Sequence, residues 1–130
     1  MASSSLIRLL DAIQCPNGTG NWTYGSKFLL ENHMTDFVLS AKCICPTTRV
    51  TVKYKVEHSP DGVRWSPIKD ASGTDILIIC PGSLTSDDPQ TCAVKVIDVP
   101  VLPYIRAVCG EADSAAECDC TLDLYYTSFK

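Results

Sequence analysis

The chain predicts an all-β domain: an antiparallel β-sandwich or jelly-roll-like barrel with an N-terminal arm. Period-two alternation over residues 50–58, short apolar runs recurring down the chain, and a Pro or Gly closing most of those runs support it. No stretch between the runs carries a helical stripe long enough for the crossover that a parallel sheet needs, so antiparallel pairing is expected. With 130 residues, 45% of them apolar, one domain is expected, residues 31–130 forming the sandwich and residues 1–30 an arm, first strand or short helix.

The elements follow in order. Leu6, Leu9, Leu10 and Ile13 recur at helical spacing, which makes residues 5–13 the one helix candidate, but nine residues depend on packing and the segment equally fits a β arm. Residues 17–21, NGTGN, are a turn leading to Trp22 and Tyr24, so the first 30 residues are expected to wrap the compact portion or reach a neighbour. A strand from Phe37 reaches Cys45 and stops at Pro46. The next places Val50, Val52, Tyr54 and Val56 opposite Thr51, Lys53, Lys55 and Glu57. It enters a turn at Ser59, where Pro60 presets φ, Asp61 can bond nearby amides and Gly62 can take positive φ. Residues 63–66 read as a short return stopped by Pro67. Residues 75–80, 92–99 and 101–109 are further strands, with polar connections at 83–91 and 110–117. In the last, residues 118–129, Cys118, Cys120, Leu122, Leu124 and Tyr126 share a face.

Charge narrows the partners. Eleven basic against fifteen acidic residues give −4, which supplies no field for phosphate backbones, and no 18-residue apolar run offers a helical membrane span. No nucleic acid or membrane partner is therefore expected. Residues 42–69 carry six basic and two acidic side chains, whereas 110–123 carry five acidic and none basic. Such patches can meet on neighbouring copies or stand as solvated faces.

Eight cysteines, Cys15, Cys43, Cys45, Cys80, Cys92, Cys109, Cys118 and Cys120, demand a chemical account. The opening residues lack the sustained apolar segment of a secretory signal, so oxidation by that route is not expected. A particle assembled in a reducing cytoplasm and later released offers another route. Cys43 and Cys45 share one strand face, as do Cys118 and Cys120, so neighbouring strands can gather four sulfurs. Two bridges between those pairs suit strand geometry better than a Cys43–Cys45 bridge; Cys80 with Cys92 and Cys109 with Cys118 are alternative loop-closing pairs. Buried thiols and a metal stay open, although C-x-C is not the usual zinc spacing and neither histidine adjoins a pair. No metal or other cofactor is assigned.

Nothing points to catalysis. His33 and His58 are the two imidazoles, neither in a nucleophile motif, and His58 reads as a hydrogen-bonded sheet-end residue. Asp87–Asp88 and Asp119 with Asp123 offer carboxylates of a kind common in loops and strand faces, so a non-enzymatic protein is expected. Asn17-Gly18-Thr19 and Asn21-Trp22-Thr23 match the glycosylation pattern but read as turn chemistry. Trp22, Trp65, Tyr125 and Tyr126 are packing or interface residues; the adjacent tyrosines must face opposite sides, and Trp65 is expected to cover the core beside its hairpin.

The run VTVKYKVEHSPDGVRWSPI, with LPYIRAVCG about forty residues later and the terminal CTLDLYYTS, resembles small β-sandwich structural proteins of tailed bacteriophage virions. The likeness covers residues 36–128 and maps the turn to Ser59, Asp61 and Gly62, the following aromatic to Trp65, and the later pair to Tyr104 and Arg106. The eight cysteines depart from that group's pattern. The resemblance implies a non-enzymatic capsid decoration or cement protein, assembled in the host cytoplasm and found on the capsid surface of the virion. It also implies that the major capsid protein or another virion protein is the partner and that the chain is a homo-oligomer, with the arm or exposed edges making the contacts. Arg106 is then a structural ion-pair or interface residue. The alternative is a surface or secreted carbohydrate-binding or adhesion module.

Overall fold

The computed structural model describes residues 2–86, 90, 92–115 and 117–129; Asp87 and Asp88 lie outside the described residues. Along the chain run β1 (Ala2–Gln14), β2 (Trp22–Tyr24), β3 (Phe28–Leu29), β4 (Met34–Cys45), β5 (Thr51–Ser59), β6 (Ser66–Pro67), β7 (Leu77–Pro81), β8 (Ser83–Leu84), β9 (Cys92–Val96), β10 (Tyr104–Gly110) and β11 (Asp119–Phe129). Sheet I has the order β1-β11-β4, with β9 and the short parallel β8 both on β4. Sheet II is built on β10 and β5, with β2 and β3 pairing β10, and β6 and β7 pairing β5. All pairings except β4 with β8 are antiparallel. The two sheets make a sandwich-like, all-β arrangement, and among the described strands no ladder joins them into the closed barrel that was the other expectation.

Alternation decides what lies between the sheets. Leu39, Ala41, Cys43 and Cys45 from β4 and Cys120, Leu122 and Leu124 from β11 are fully buried, as are Val52, Tyr54, Ile105, Ala107 and Cys109 from β5 and β10. Tyr54, the largest of them, donates its hydroxyl to the Lys42 carbonyl at 2.7 Å, a polar tie from sheet II to sheet I. Each fully buried Val, Leu or Ile contributes about 1.5–3 kcal/mol, so this layer is the main favourable contribution to holding the sheets together.

Residues 5–13, whose spacing also fits a helix, lie in β1, and the register shows why the two readings coincide. Ile7, Leu10 and Ile13 pair with Leu124, Leu122 and Cys120, so three-residue steps on β1 face two-residue steps on β11. Each step takes up one extra residue as a bulge, and Ala12 adopts φ 50° in the second. Bulges thus place an i, i+3 apolar pattern on one face of a strand. Leu9 and Leu10 are buried, which makes β1 part of the core as well as the sheet edge.

At the β5 turn, the Ser59 hydroxyl accepts from the Gly62 amide at 2.9 Å, Asp61 accepts the amides of Val63 and Arg64, and Gly62 takes φ 77°. Those bonds hold residues 63 and 64 in the turn, so the return expected over 63–66 shrinks to β6, Ser66–Pro67. The return ends at Pro67, as expected, and there Pro67 pairs Glu57 at a sheet edge, where its missing donor is harmless. The strands expected over 92–99 and 101–109 are found as β9, Cys92–Val96, and β10, Tyr104–Gly110; just beyond them Ile97 still donates to the Phe37 carbonyl and Pro103 still receives the Leu30 amide.

The opposite charge patches meet within the chain. Lys53 pairs with Glu111 at 3.3 Å, and Asp113 accepts the Thr51 amide at 3.0 Å.

Candidate functional site

Two constellations stand out, one inside the sandwich and one on its surface. Inside, β4 and β11 pair so that Cys43 lies directly opposite Cys120, and by the same register Cys45 opposite Cys118. The Cys45 and Cys118 sulfurs are 2.6 Å apart and those of Cys43 and Cys120 3.9 Å. The β1 end brings Cys15, and β10 brings Cys109, to the Cys120 side. Two groups result, Cys15/Cys109/Cys120 and Cys43/Cys45/Cys118, each with all sulfurs within 4.8 Å of one another. Cys118 therefore sits with Cys45, and Cys109 with Cys15 and Cys120.

The cysteines stand as free thiols, Cys15 half-buried, Cys92 exposed and the rest buried. Burial pushes Cys118 up to about 12 and Cys80 up to about 11. Cys43 and Cys109 rise further, each led by its hydrogen bond to Cys120. Cys120 is drawn down because Cys109, Cys15 and Cys43 donate to it. The groups have the ligand type for a soft metal but three sulfurs each, short of the four of a closed structural zinc site.

The second constellation covers the outer face of sheet II. Trp22 pairs Gly110 and Tyr24 pairs Val108 on one side of β10, while Lys53, Lys55 and Glu57 flank it on the other. These residues point outward because Tyr54, Val56, Ile105 and Ala107 point inward. Arg106 lies between two rings, 4.6 Å from the Tyr24 centroid and 4.3 Å from that of Trp65, and its Nε donates to Glu57 at 2.7 Å. Lys55 Nζ sits 4.4 Å from the Trp22 centroid. Gly110 is required beneath: a Cβ there would meet the Trp22 ring at 2.6 Å. Trp22, Tyr24, Lys55, Glu57, Pro67, Asp75 and Val108 line a depression of about 140 Å³. Leu77 and Ile79 of β7, 38% and 56% exposed, continue the same face, since they pair Lys55 and Lys53.

The outer face of sheet I is different. Leu6, Tyr125, Val38 and Val96 are paired in a row across β1, β11, β4 and β9, and Leu6, Tyr125 and Val96 are 46%, 43% and 59% exposed. Beside that row Arg8 makes two hydrogen bonds to Asp123, at 2.8 and 3.2 Å.

Trp65 thus stacks on Arg106 outside sheet II instead of capping the core. Tyr104 packs beneath the turn, where a Cβ on Gly62 would meet its ring at 3.3 Å. Tyr125 is exposed and Tyr126 half-buried, as opposite phases require. His58 Nδ1 accepts the Leu102 amide at 3.1 Å, and His33 lies 2.9 Å from Glu31 on the surface. Asn21 donates to the Asn17 carbonyl, the turn role expected of that pair. The sequence reading missed the meeting of Tyr24 with Arg106 and Trp65. The available signal was phase: Arg106 lies out of step with Ile105 and Ala107. No family model, no curated protein and no solved structure matches the chain.

Proposed function

We propose that the chain is a non-enzymatic structural module that joins other proteins through the outer faces of its sandwich, and that it serves as a decoration or cement protein on a virion capsid. One observation carries the binding role: both outer faces present interface-type side chains on rigid strands. Sheet II offers Trp22, Tyr24, Trp65 and Arg106, the residue types that dominate binding energy at protein interfaces, already held in place by ion-pair and stacking contacts. Sheet I offers the apolar row through Leu6, Tyr125 and Val96. A molecule with two such faces on opposite sides can bridge two neighbours, which is what cementing a shell requires. The capsid itself, and a homo-oligomeric state, rest on the resemblance of the β5 turn and the Tyr104–Arg106 strand to phage structural proteins.

The test is co-sedimentation of the full chain with capsid shells prepared without it. Truncating a central anchor costs 2 kcal/mol or more, so Arg106→Ala or Trp22→Ala should weaken association about thirtyfold, and Tyr125→Asp should weaken it through the other face. Unchanged association in all three folded variants refutes the reading.

A second reading has its own support. The depression beside Trp22 and Tyr24 combines aromatic surface with Glu57, Asp75 and Lys55, a lining suited to a sugar. Saturable binding to glycans, lost in Trp22→Ala and unaccompanied by shell association, would replace decoration with carbohydrate recognition.

A further inference from the structure

Six of the eight cysteines converge in one place between the sheets, and what sets cysteine apart from other small apolar residues is its reactivity more than its packing. We propose that these six form three disulfides, Cys45–Cys118, Cys43–Cys120 and Cys15–Cys109, and that the chain folds with them reduced and is locked when it meets a disulfide oxidant.

Register selects the first two. Directly opposed residues of an antiparallel pair have Cα atoms about 4.5–5.5 Å apart, inside the range of about 4.4–6.8 Å that a disulfide spans. Cys43 with Cys120, and Cys45 with Cys118, are so opposed, with sulfurs 3.9 and 2.6 Å apart. The third follows by using every sulfur once: with Cys120 taken, Cys15 and Cys109 remain in their group. A Cys109–Cys120 bridge would instead strand Cys15 in one group and Cys43 in the other. A neutral bridge also suits Cys118, whose thiol burial pushes up. Two bridges would staple β4 to β11 within sheet I. The third would tie the end of β1, in sheet I, to β10 in sheet II, bolting the layers together.

The chemistry balances with a small-molecule disulfide such as oxidised glutathione. Cys15 is the one half-buried member of the six and so the one an oxidant reaches: it gives up its proton, its sulfur attacks one oxidant sulfur, the S–S bond breaks, and one glutathione leaves and takes up that proton. Cys109 then loses its proton, attacks the Cys15 sulfur and expels the second glutathione. Two electrons and two protons have passed to the oxidant. Exchange carries oxidation inward: Cys120 attacks the Cys109 sulfur and frees Cys15, then Cys43 attacks Cys120 and frees Cys109. Cys118 then attacks Cys43 and frees Cys120, Cys45 attacks Cys118 and frees Cys43, and the thiols set free are oxidised in turn by further oxidant molecules entering at Cys15. Each bridge consumes one oxidant molecule and releases two thiols.

The experiment exposes the folded full chain to oxidised glutathione, alkylates free thiols in denaturant and maps the peptides. The expected result is labelling of Cys80 and Cys92 alone, with tryptic peptides 9–27, 43–49 and 107–130 joined until reduced. Cleavage before Asp119 separates Cys118 from Cys120, and the same map of Cys43→Ser and Cys45→Ser variants, in which only one of the two sulfurs on peptide 43–49 remains, assigns their partners. Cys15→Ser should slow oxidation of the two inner pairs about tenfold under native conditions. Three results overturn the proposal: labelling of all eight cysteines after oxidant, a different set of partners, or stoichiometric zinc that shields the six thiols until a chelator removes it. Oxidation of the inner pairs at the unaltered rate in a folded Cys15→Ser variant overturns the inward route.

Discussion

Replacing Arg106 by alanine tests whether the outer face of sheet II is a built surface. The guanidinium makes two ring contacts, at 4.6 and 4.3 Å, and a 2.7 Å hydrogen bond to Glu57. Each ring contact is worth about 0.5–1 kcal/mol at a site that remains partly wet. The side chains of Arg106 and Glu57 are 25% and 19% exposed, so their pair sits above the exposed-pair range of about 0–1 kcal/mol. Alanine also leaves Glu57 half-buried without its cation. Allowing for non-additivity, Arg106→Ala should destabilise folding by about 2–3 kcal/mol. At about 3–4 °C per kcal/mol for a chain of this size, that lowers Tm by about 6–12 °C. Arg106→Lys keeps the charge but not the planar stack, and should lose about 1 kcal/mol. Urea unfolding followed by tryptophan emission reads both quantities, because Trp65 reports the stacked site. A loss under about 0.5 kcal/mol for alanine, the level of an ordinary surface change, would refute the idea that the rings, Glu57 and Arg106 act as one unit.

Further expectations concern the core, the turn and pH. Tyr54→Phe removes the 2.7 Å bond to the Lys42 carbonyl and should cost about 1–2 kcal/mol in urea unfolding, with the sheets otherwise intact by circular dichroism. Leu10→Ala, at a residue 1% exposed on β1, should cost about 2–5 kcal/mol, whereas a β1 that projects as a free arm would give almost nothing. Gly110→Ala drives a Cβ into the Trp22 ring and the Asn21 carbonyl, so it should cost about 1–3 kcal/mol and shift Trp22 emission. Burial lowers the His58 pKa, and its Nδ1 accepts a bond only when neutral. The unfolded chain therefore binds more protons than the folded one below about pH 6.5, and stability should fall as pH drops from about 7 to 5. His58→Gln, which keeps an acceptor without titrating in that window, should flatten this part of a Tm-against-pH profile.

How much was legible in the sequence depended on whether the governing physics is local. Strand β5 and its turn were legible, because alternation from Val50 to Glu57 and the Ser59, Asp61 and Gly62 roles are settled within a dozen residues. For β1 the same reasoning stayed divided between helix and strand, since two bulges stretch the inward period from two residues to three. The C-x-C pairs were visible as same-face sulfurs, but facing Cys43 with Cys120 and Cys45 with Cys118 depends on register across 77 and 73 residues. Cys15 and Cys109 come to that place only once two sheets stack, which no local pattern encodes. Trp65 was expected over the core from its place beside the hairpin; instead it stacks on the Arg106 guanidinium at the outer face, a partner from another strand.

The most direct test of the central claim is imaging of native capsids from cells that make this chain, with the protein carrying a density label at its C-terminus. The account predicts label at regular positions on the shell, with the outer face of sheet II or the row through Tyr125 against a capsid subunit. Shells that carry no label, while the folded chain remains monomeric in the supernatant, would contradict it.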